Sequence, residues 1–295
     1  MEYHREYCWV ELEPDRREVM AKPRGRLQLS ESEFARQIAV GDEVNVAEPE
    51  AGHFTIEEIF PRRTWLMRKN LMRYRHKPQC VVANADQLAV VVAPNPRIKL
   101  NVVDRFFLAA IQGGLETVLV VNKIDLDPAL TDNLAIRNYS DLGYRVFFTA
   151  ATRGEGLKPL AKELHGKLTA FCGHSGVGKS TILRKLTGVD IKVAEVHPGT
   201  QKGRQTTSAA RLYHLKEGGM VVDTPGIREF GLAHLNWLDV HDYFTDIAAF
   251  AMKCSFRDCR HAVEPGCRVR LAVEQGELSG SRLKSFIKLC NECTD

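Results

Sequence analysis

The octapeptide Gly173-His174-Ser175-Gly176-Val177-Gly178-Lys179-Ser180 constrains this chain more than any other stretch. An apolar run, "KLTAF" (167–171), precedes it, and the helix-forming segment "STILRKLTG" (180–188) follows it. Glycines at these positions let the backbone curl so that successive N–H groups face one point. The N-terminus of the following helix adds positive potential there. Such a strand–loop–helix unit cradles phosphates, with Lys179 reaching the β and γ phosphates and Ser180 ligating Mg²⁺. The alternative is a Gly-rich turn that matches by chance, and the flanking strand and helix weigh against it.

The surrounding pattern agrees with an α/β sheet. Apolar runs at 87–93, 117–122, 144–150, 167–173 and 219–224 are candidate buried strands. Helical periodicity lies between most of them, as in Val102, Phe106, Ala109 and Ala110 before the Gly113-Gly114 stop. Strands alternating with helices imply βαβ units and a parallel sheet. "SAARLYHL" (208–215) and "GMVVD" (219–223) share the hairpin turn Lys216-Glu217-Gly218-Gly219.

Three further loops end predicted strands, where open α/β sheets bind ligands. Asn122-Lys123-Ile124-Asp125 places a carboxylate that accepts from guanine N1–H and N2–H₂, a pair of donors that adenine lacks. Asp125 is therefore the residue that selects GTP over ATP, while Asn122 and Lys123 brace the loop and stack on the base. Thr149-Ala150-Ala151 offers a backbone N–H to guanine O6. Asp223-Thr224-Pro225-Gly226 offers a carboxylate for Mg²⁺ through water and an N–H that senses the γ-phosphate. Each tetrapeptide alone could be a surface loop; together they define a guanine-nucleotide site. The expected binding set is Asn122, Lys123, Ile124, Asp125, Ala150, Gly173, His174, Ser175, Gly176, Val177, Gly178, Lys179, Ser180, Thr181, Asp223 and Gly226.

The order of these loops is unusual, because the guanine loop precedes the phosphate loop by about 50 residues. Joining the termini of a parallel α/β domain and cutting elsewhere leaves the sheet and its loops intact. Such a permutation gives the order seen here. It also puts the γ-phosphate sensor last, so that a change at Gly226 would reposition whatever follows residue 230.

Hydrolysis poses its own question. Many GTPases carry Gln directly after the DxxG glycine to orient water, and Ile227 stands there. "GRQTTS" (203–208) is the candidate switch: Gln205 would orient water, and Thr206 or Thr207, with Thr207 preferred, would give the second protein ligand to Mg²⁺. Gln205, Lys179 and Thr207 are the candidate catalytic residues, with Gln205 as a merely flexible polar residue the alternative.

Outside the nucleotide loops, residues 1–75 hold short β-rich pieces at a spacing that suggests a small barrel or sandwich. Cys254-x4-Cys259-x-His261-x5-Cys267 supplies three thiolates and an imidazole, which suits a closed tetrahedral Zn²⁺ site with no position left for catalysis. Cys290 and Cys293 also have C-x2-C spacing, but Cys290 shares an apolar helix face with Leu283, Phe286 and Ile287. Between Glu58 and Asp86 there is no acid, while Arg62, Arg63, Arg68, Lys69, Arg73, Arg75 and Lys77 interleave with Trp65 and Tyr74. That pattern fits RNA held by phosphate neutralisation and stacking, or a solvated linker. Arg257, Arg260, Arg268 and Arg270 around the metal loop form a possible second contact. The net charge of +4 is too mild to diagnose a nucleic-acid binder by itself. The longest apolar runs, 88–93 and 118–121, are too short to span a bilayer. A cytoplasmic, monomeric protein is the expectation.

"NKID", "GHSGVGKS", "DTPGIREFGL" and the Cys/His cluster, in this order, resemble the circularly permuted GTPases of the small-ribosomal-subunit biogenesis family, RsgA (YjeQ). The resemblance implies three parts: an OB-fold β-barrel (1–75), a permuted α/β P-loop GTPase domain (76–232) and an α-helical zinc-binding domain (233–295). It also implies GTP hydrolysis stimulated by the small ribosomal subunit during its late maturation, with rRNA held by the OB and zinc domains. Family members commonly carry a His, assigned to catalysis, where Gln205 stands here, so a titrating general base does not carry over. A protein that only binds RNA, and a GTPase with another nucleic-acid task such as tRNA modification, are the competing functions.

Overall fold

The computed structural model describes residues 7–24, 38–68, 79–190, 211–224 and 236–293. Gln205 and Thr207, the DxxG glycine Gly226, and Lys69, Arg73, Tyr74, Arg75 and Lys77 lie outside them.

The centre is a six-stranded sheet of β7 (Gln87–Val92), β8 (Glu116–Asn122), β9 (Arg145–Thr149), β10 (Leu168–Cys172), β11 (Arg211–His214) and β12 (Met220–Asp223). Its spatial order is β11-β12-β10-β7-β8-β9, all parallel except the edge strand β11, which pairs antiparallel with β12. The chain builds outward from β7 to β9, returns to the centre at β10, and then fills the other side. The guanine loop after β8 is therefore made before the phosphate loop after β10, yet both emerge at the same edge of the sheet.

Alternate strand residues feed two cores, as a two-sided parallel sheet requires. Leu88, Val90, Leu119, Val121, Ala170, Cys172 and Val222 pack on one face. There they meet α1 (Leu100–Gln112) and α2 (Leu134–Asp141), through Val103, Phe106, Phe107, Ile136 and Tyr139. Ala89, Val91, Val118, Val120, Phe171 and Val221 point the other way. They meet α3 (Leu157–Leu164) and α4 (Lys179–Thr187), through Leu157, Leu160, Leu164, Ile182, Leu183 and Leu186. Each of these large buried side chains contributes on the order of 1.5–3 kcal/mol, which makes the sheet a rigid platform for its edge loops.

Four N-terminal strands, β1 (Cys8–Leu12), β2 (Arg17–Pro23), β3 (Val44–Glu50) and β4 (His53–Ile59), form a second sheet in the order β1-β2-β4-β3. Ala21, Ile56 and Ile59 are its small core. An antiparallel pair of strands, β5 (Trp65–Arg68) and β6 (Gln79–Ala83), precedes β7. The joint is polar and specific. Arg62 grips buried Asp42 through two bonds of 2.7 and 2.8 Å, and Asn84 donates to Gly41 O at 3.0 Å while accepting from Arg63 N at 2.8 Å. Arg62 is thus engaged inside the protein and is not one of the basic groups offered to a partner.

Four helices, α5 (Trp237–Tyr243), α6 (Thr245–Ala251), α7 (Arg268–Glu274) and α8 (Gly280–Glu292), close the chain. Their apolar side chains Val240, Ile247, Val269, Leu283, Phe286 and Leu289, with Phe244 at the α5–α6 junction, continue the core on the α1 face. No helix among the described residues is long and apolar enough to cross a membrane.

Candidate functional site

The phosphate loop is folded by its glycines. Gly173 has φ +139° and passes so close to β7 that a Cβ there would lie 2.2 Å from Val91 O. Gly178, at φ +97°, leaves no room for a methyl, which would meet Asn122 Nδ2 at 2.3 Å. Val177 buries its side chain beneath the loop, while His174, Ser175 and Gly176 are exposed. Ser180 and Thr181 stand in the first turn of α4, where unpaired backbone N–H groups collect.

Asn122, at the end of β8, is the hub of the edge. Its Nδ2 donates to Val177 O at 2.9 Å, and its Oδ1 accepts from Thr149 Oγ1 at 2.9 Å and from Ala151 N at 3.2 Å. One buried carboxamide therefore ties three loops together. Lys123, in the left-handed region at φ +62°, donates from Nζ to Gly176 O at 2.6 Å. Ile124 N donates to Thr149 O at 3.2 Å, and Asp125 lies 3.8 Å from Arg153 Nε. The N–H of Ala150 is already committed to Glu155 O at 3.1 Å, so the amide beside Asn122 is that of Ala151.

Across the loop, Lys179 Nζ donates to the carbonyls of Gly173 at 2.7 Å and His174 at 3.1 Å. Burial holds its ammonium below the usual lysine value, and Cys172 and Asp223 work against that. Burial likewise pushes the Asp223 carboxyl up, opposed by Lys179. Asp223 Oδ1 is buried with no hydrogen-bond partner among the described residues. An unpaired carboxylate oxygen of this kind costs on the order of 1–3 kcal/mol or more. A hydrated divalent cation beside Ser180 would satisfy it, so the residues present fit Mg²⁺.

The second cluster lies between α6 and α7. The ligand atoms of Cys254, Cys259, His261 and Cys267 all fall within 4.8 Å of one another. Cys254 Sγ is 4.0 Å from Cys267 Sγ, and His261 Nδ1 is 3.7 and 3.4 Å from the sulfurs of Cys254 and Cys267. A tetrahedron with metal–sulfur bonds of about 2.3 Å has edges of roughly 3.8 Å, so donor set and spacing fit a zinc-sized ion. Burial drives the Cys259 thiol up to about 12 and holds the His261 imidazole toward its neutral form. A cation at the centre would reverse the first effect and needs the second. Glu264 secures the loop by accepting from the amides of Arg260, Ala262 and Val263 at 2.8, 2.9 and 3.0 Å. Gly266, at φ +69°, provides its turn.

Some parts of these sites had only faint signals in the sequence. The Asn122–Val177 bond links residues 55 apart, and nothing in either tetrapeptide names the other. Arg153, beside Asp125, sits in a loop with no motif of its own.

Comparison with known proteins gives one answer. The family model for the RsgA GTPase matches residues 59–233. A small ribosomal subunit biogenesis GTPase RsgA from Gemmatimonas aurantiaca is 39% identical over 281 residues, which is 92% of this chain and 89% of that protein. Its counterpart from Chlorobaculum tepidum is 36% identical over 276 residues, 90% of this chain and 89% of the other. Among solved structures, YjeQ from Thermotoga maritima superposes with a TM-score of 0.72 at 32% identity, covering 99% of this chain and 95% of that one. YloQ, described as a circularly permuted GTPase, gives a TM-score of 0.68 at 25% identity and covers 99% and 92%. The fold agrees with these solved structures over 99% of the chain and the sequence with these relatives over 90–92% of it, and the chain belongs to the RsgA GTPase family.

Proposed function

We propose that this protein hydrolyses GTP to GDP and phosphate in the late maturation of the small (30S) ribosomal subunit, and that the subunit stimulates turnover. The observation that carries this reading is the single sheet edge where Asn122 joins the guanine loop, the phosphate loop and the Thr149–Ala151 loop. The relatives' shared name, small ribosomal subunit biogenesis GTPase, supports the partner.

In this mechanism Asp125 reads the guanine edge, and Asn122, Lys123 and Ile124 hold its loop. The Thr149-Ala150-Ala151 loop offers a backbone N–H to guanine O6, which Ala150 or Ala151 would release from its present acceptor, Glu155 O or Asn122 Oδ1. The amides of Gly173 to Ser180, continued by Thr181, surround the phosphates. Lys179 exchanges its two carbonyl partners for β and γ oxygens. Ser180, Thr207 and, through water, Asp223 would hold Mg²⁺, whose chemistry there would be to neutralise charge on the transferred phosphoryl group. Gly226 senses the γ-phosphate. Gln205 orients the attacking water when the ribosome is bound, since Ile227 has no side-chain donor or acceptor.

The N-terminal strands (1–75) act as an OB-type barrel and the C-terminal helices (233–295) as a zinc-bearing unit, on either side of the GTPase domain (76–232). Exposed Trp65, with Arg257, Arg260 and Arg268 at the metal loop, supports rRNA contacts at both. The site works in the cytoplasm and needs only a monomer. GTP turnover with and without added small subunits tests the whole reading. Stimulation of about tenfold or more by 30S, lost in Gln205→Ala, is expected. Equal rates with and without subunits would remove the ribosome from the mechanism.

A further inference from the structure

Helix α8 carries a buried cation. Arg282 has only 3% of its side chain exposed, and its partner Asp104 on α1 has 0%. Arg282 Nη1 donates to Asp104 Oδ1, while Nε and Nη2 donate to Asp246 of α6 at 3.0 and 3.1 Å. The hydroxyls of Tyr139 (α2) and Tyr243 (α5) donate to the same Asp104 oxygen at 2.8 and 3.0 Å. The guanidinium also lies over the Phe244 ring, 4.1 Å from its centroid. Ser285 Oγ stands beside the carboxylate, outside hydrogen-bond geometry. Burial opposes the charge on Arg282, but Asp104 and Asp246 outweigh it and hold the guanidinium protonated.

Such an arrangement is discrete. A guanidinium forked between two carboxylates has one geometry, and sliding it out leaves buried charges unpaired. A second ion pair, Arg105 with Glu292, joins the same two helices farther along α8. One turn on from Arg282, at i+4 and so on the same face, Phe286 packs with its ring centroid 5.7 Å from that of His261 in the metal loop. At its other end α1 begins where the sheet edge begins. A methyl at Gly176 would touch Pro96 Cδ at 3.9 Å, and Pro96 leads into α1. Asp104 lies only about 6 Å along the helix from its first residue.

We infer that Arg282 pins the metal-bearing helices to α1, so that α1, and not the chain segment joining β12 to α5, sets where the metal loop stands and carries to it any change at the phosphate loop. The sequence order led to the opposite expectation, a tail hung from the DxxG glycine. The docked helices instead form one body with the α1 face of the sheet.

Hydrogen exchange of the full chain tests this with Arg282→Met, Arg282→Lys and, as a control on the exposed side of the same helix, Lys284→Met. In the nucleotide-free protein Arg282→Met should accelerate exchange about tenfold or more in both α1 and α5–α8, with Lys284→Met unchanged and zinc content retained. Acceleration in α8 without α1 would overturn the pin, because Arg282 would then serve only the helical unit through Asp246. Should Arg282→Met fail to fold, Arg282→Lys, which cannot fork to both carboxylates, must show the same pattern in smaller measure. With GDP exchanged for a non-hydrolysable GTP analogue, residues 94–105 and 252–268 should respond together in the wild type. In Arg282→Lys only 94–105 should respond. A metal-loop response that persists in the variant would refute the α1 route. Absence of any response at 173–180 would refute the nucleotide reading and leave the pin to the first comparison.

Discussion

Asn122→Ala should weaken GDP binding far more than it weakens the fold. The side chain makes three hydrogen bonds, at 2.9, 2.9 and 3.2 Å, from a fully buried position. Each is worth about 1 kcal/mol net, and truncation also strands Val177 O and Thr149 Oγ1 without partners. About 3 kcal/mol is thus at stake. The bonds join loops to one another and not sheet to helices, so most of that cost falls on the arrangement the nucleotide needs. A loss of 3 kcal/mol corresponds to about 150-fold in Kd, and if the cost is split evenly with folding the loss is still about tenfold. Titration calorimetry with GDP, beside thermal melts, measures both terms. Asn122→Asp sharpens the test: it keeps the acceptor toward Thr149 and Ala151 but turns a carboxylate oxygen on Val177 O, so it should bind no better than Asn122→Ala. A GDP affinity within threefold of wild type in Asn122→Ala would refute the hub.

Gly178→Ala adds a methyl 2.3 Å from Asn122 Nδ2 at a φ of +97°, and GDP affinity should fall at least about tenfold with little change in melting temperature. Cys267→Ser should abolish stoichiometric zinc by elemental analysis and loosen α5–α8 to proteolysis while GDP binding persists, since structural metal sites contribute folding free energy directly. Glu116 is held below the ordinary glutamate value by its bond to Arg145, with burial opposing and Lys167 assisting. A depressed carboxyl stabilises the fold above its unfolded pKa near 4.5, and that contribution disappears as pH falls through the lower folded value. The melting difference between wild type and Glu116→Gln should therefore be small at neutral pH, since the pair is largely exposed, and vanish in stronger acid. A difference that grows in acid would contradict the assignment.

The sheet was legible because its strands are short apolar runs closed by turn residues. The run at 87–93 appears as Gln87–Val92, and the turn at 216–219 joins β11 to β12. The Cys/His spacing was legible for a related reason: all four ligands lie within 14 residues of one another, so sequence proximity nearly fixes spatial proximity. The Arg282 pin was half legible. Asp104 lies on the apolar arc of its helix with Leu100, Val103 and Phe107, and an acid there must find a buried cation. Nothing local says that the cation is 178 residues away. Arg282 carried the same signal, lying on one arc of α8 with Phe286 and Leu289, whose other face is solvated. Parallel pairing of β2 with β4 was likewise hidden, because alternation records which face is buried but not the neighbour.

Guanine recognition at the edge formed by Asn122, Asp125 and the phosphate loop is the claim on which the rest depends, and side-by-side calorimetry of GDP and ADP with Mg²⁺ tests it most directly. The account predicts that GDP binds at least about 100-fold more tightly than ADP, because adenine leaves the Asp125 carboxylate without its two donors. ADP bound within threefold of GDP would contradict it.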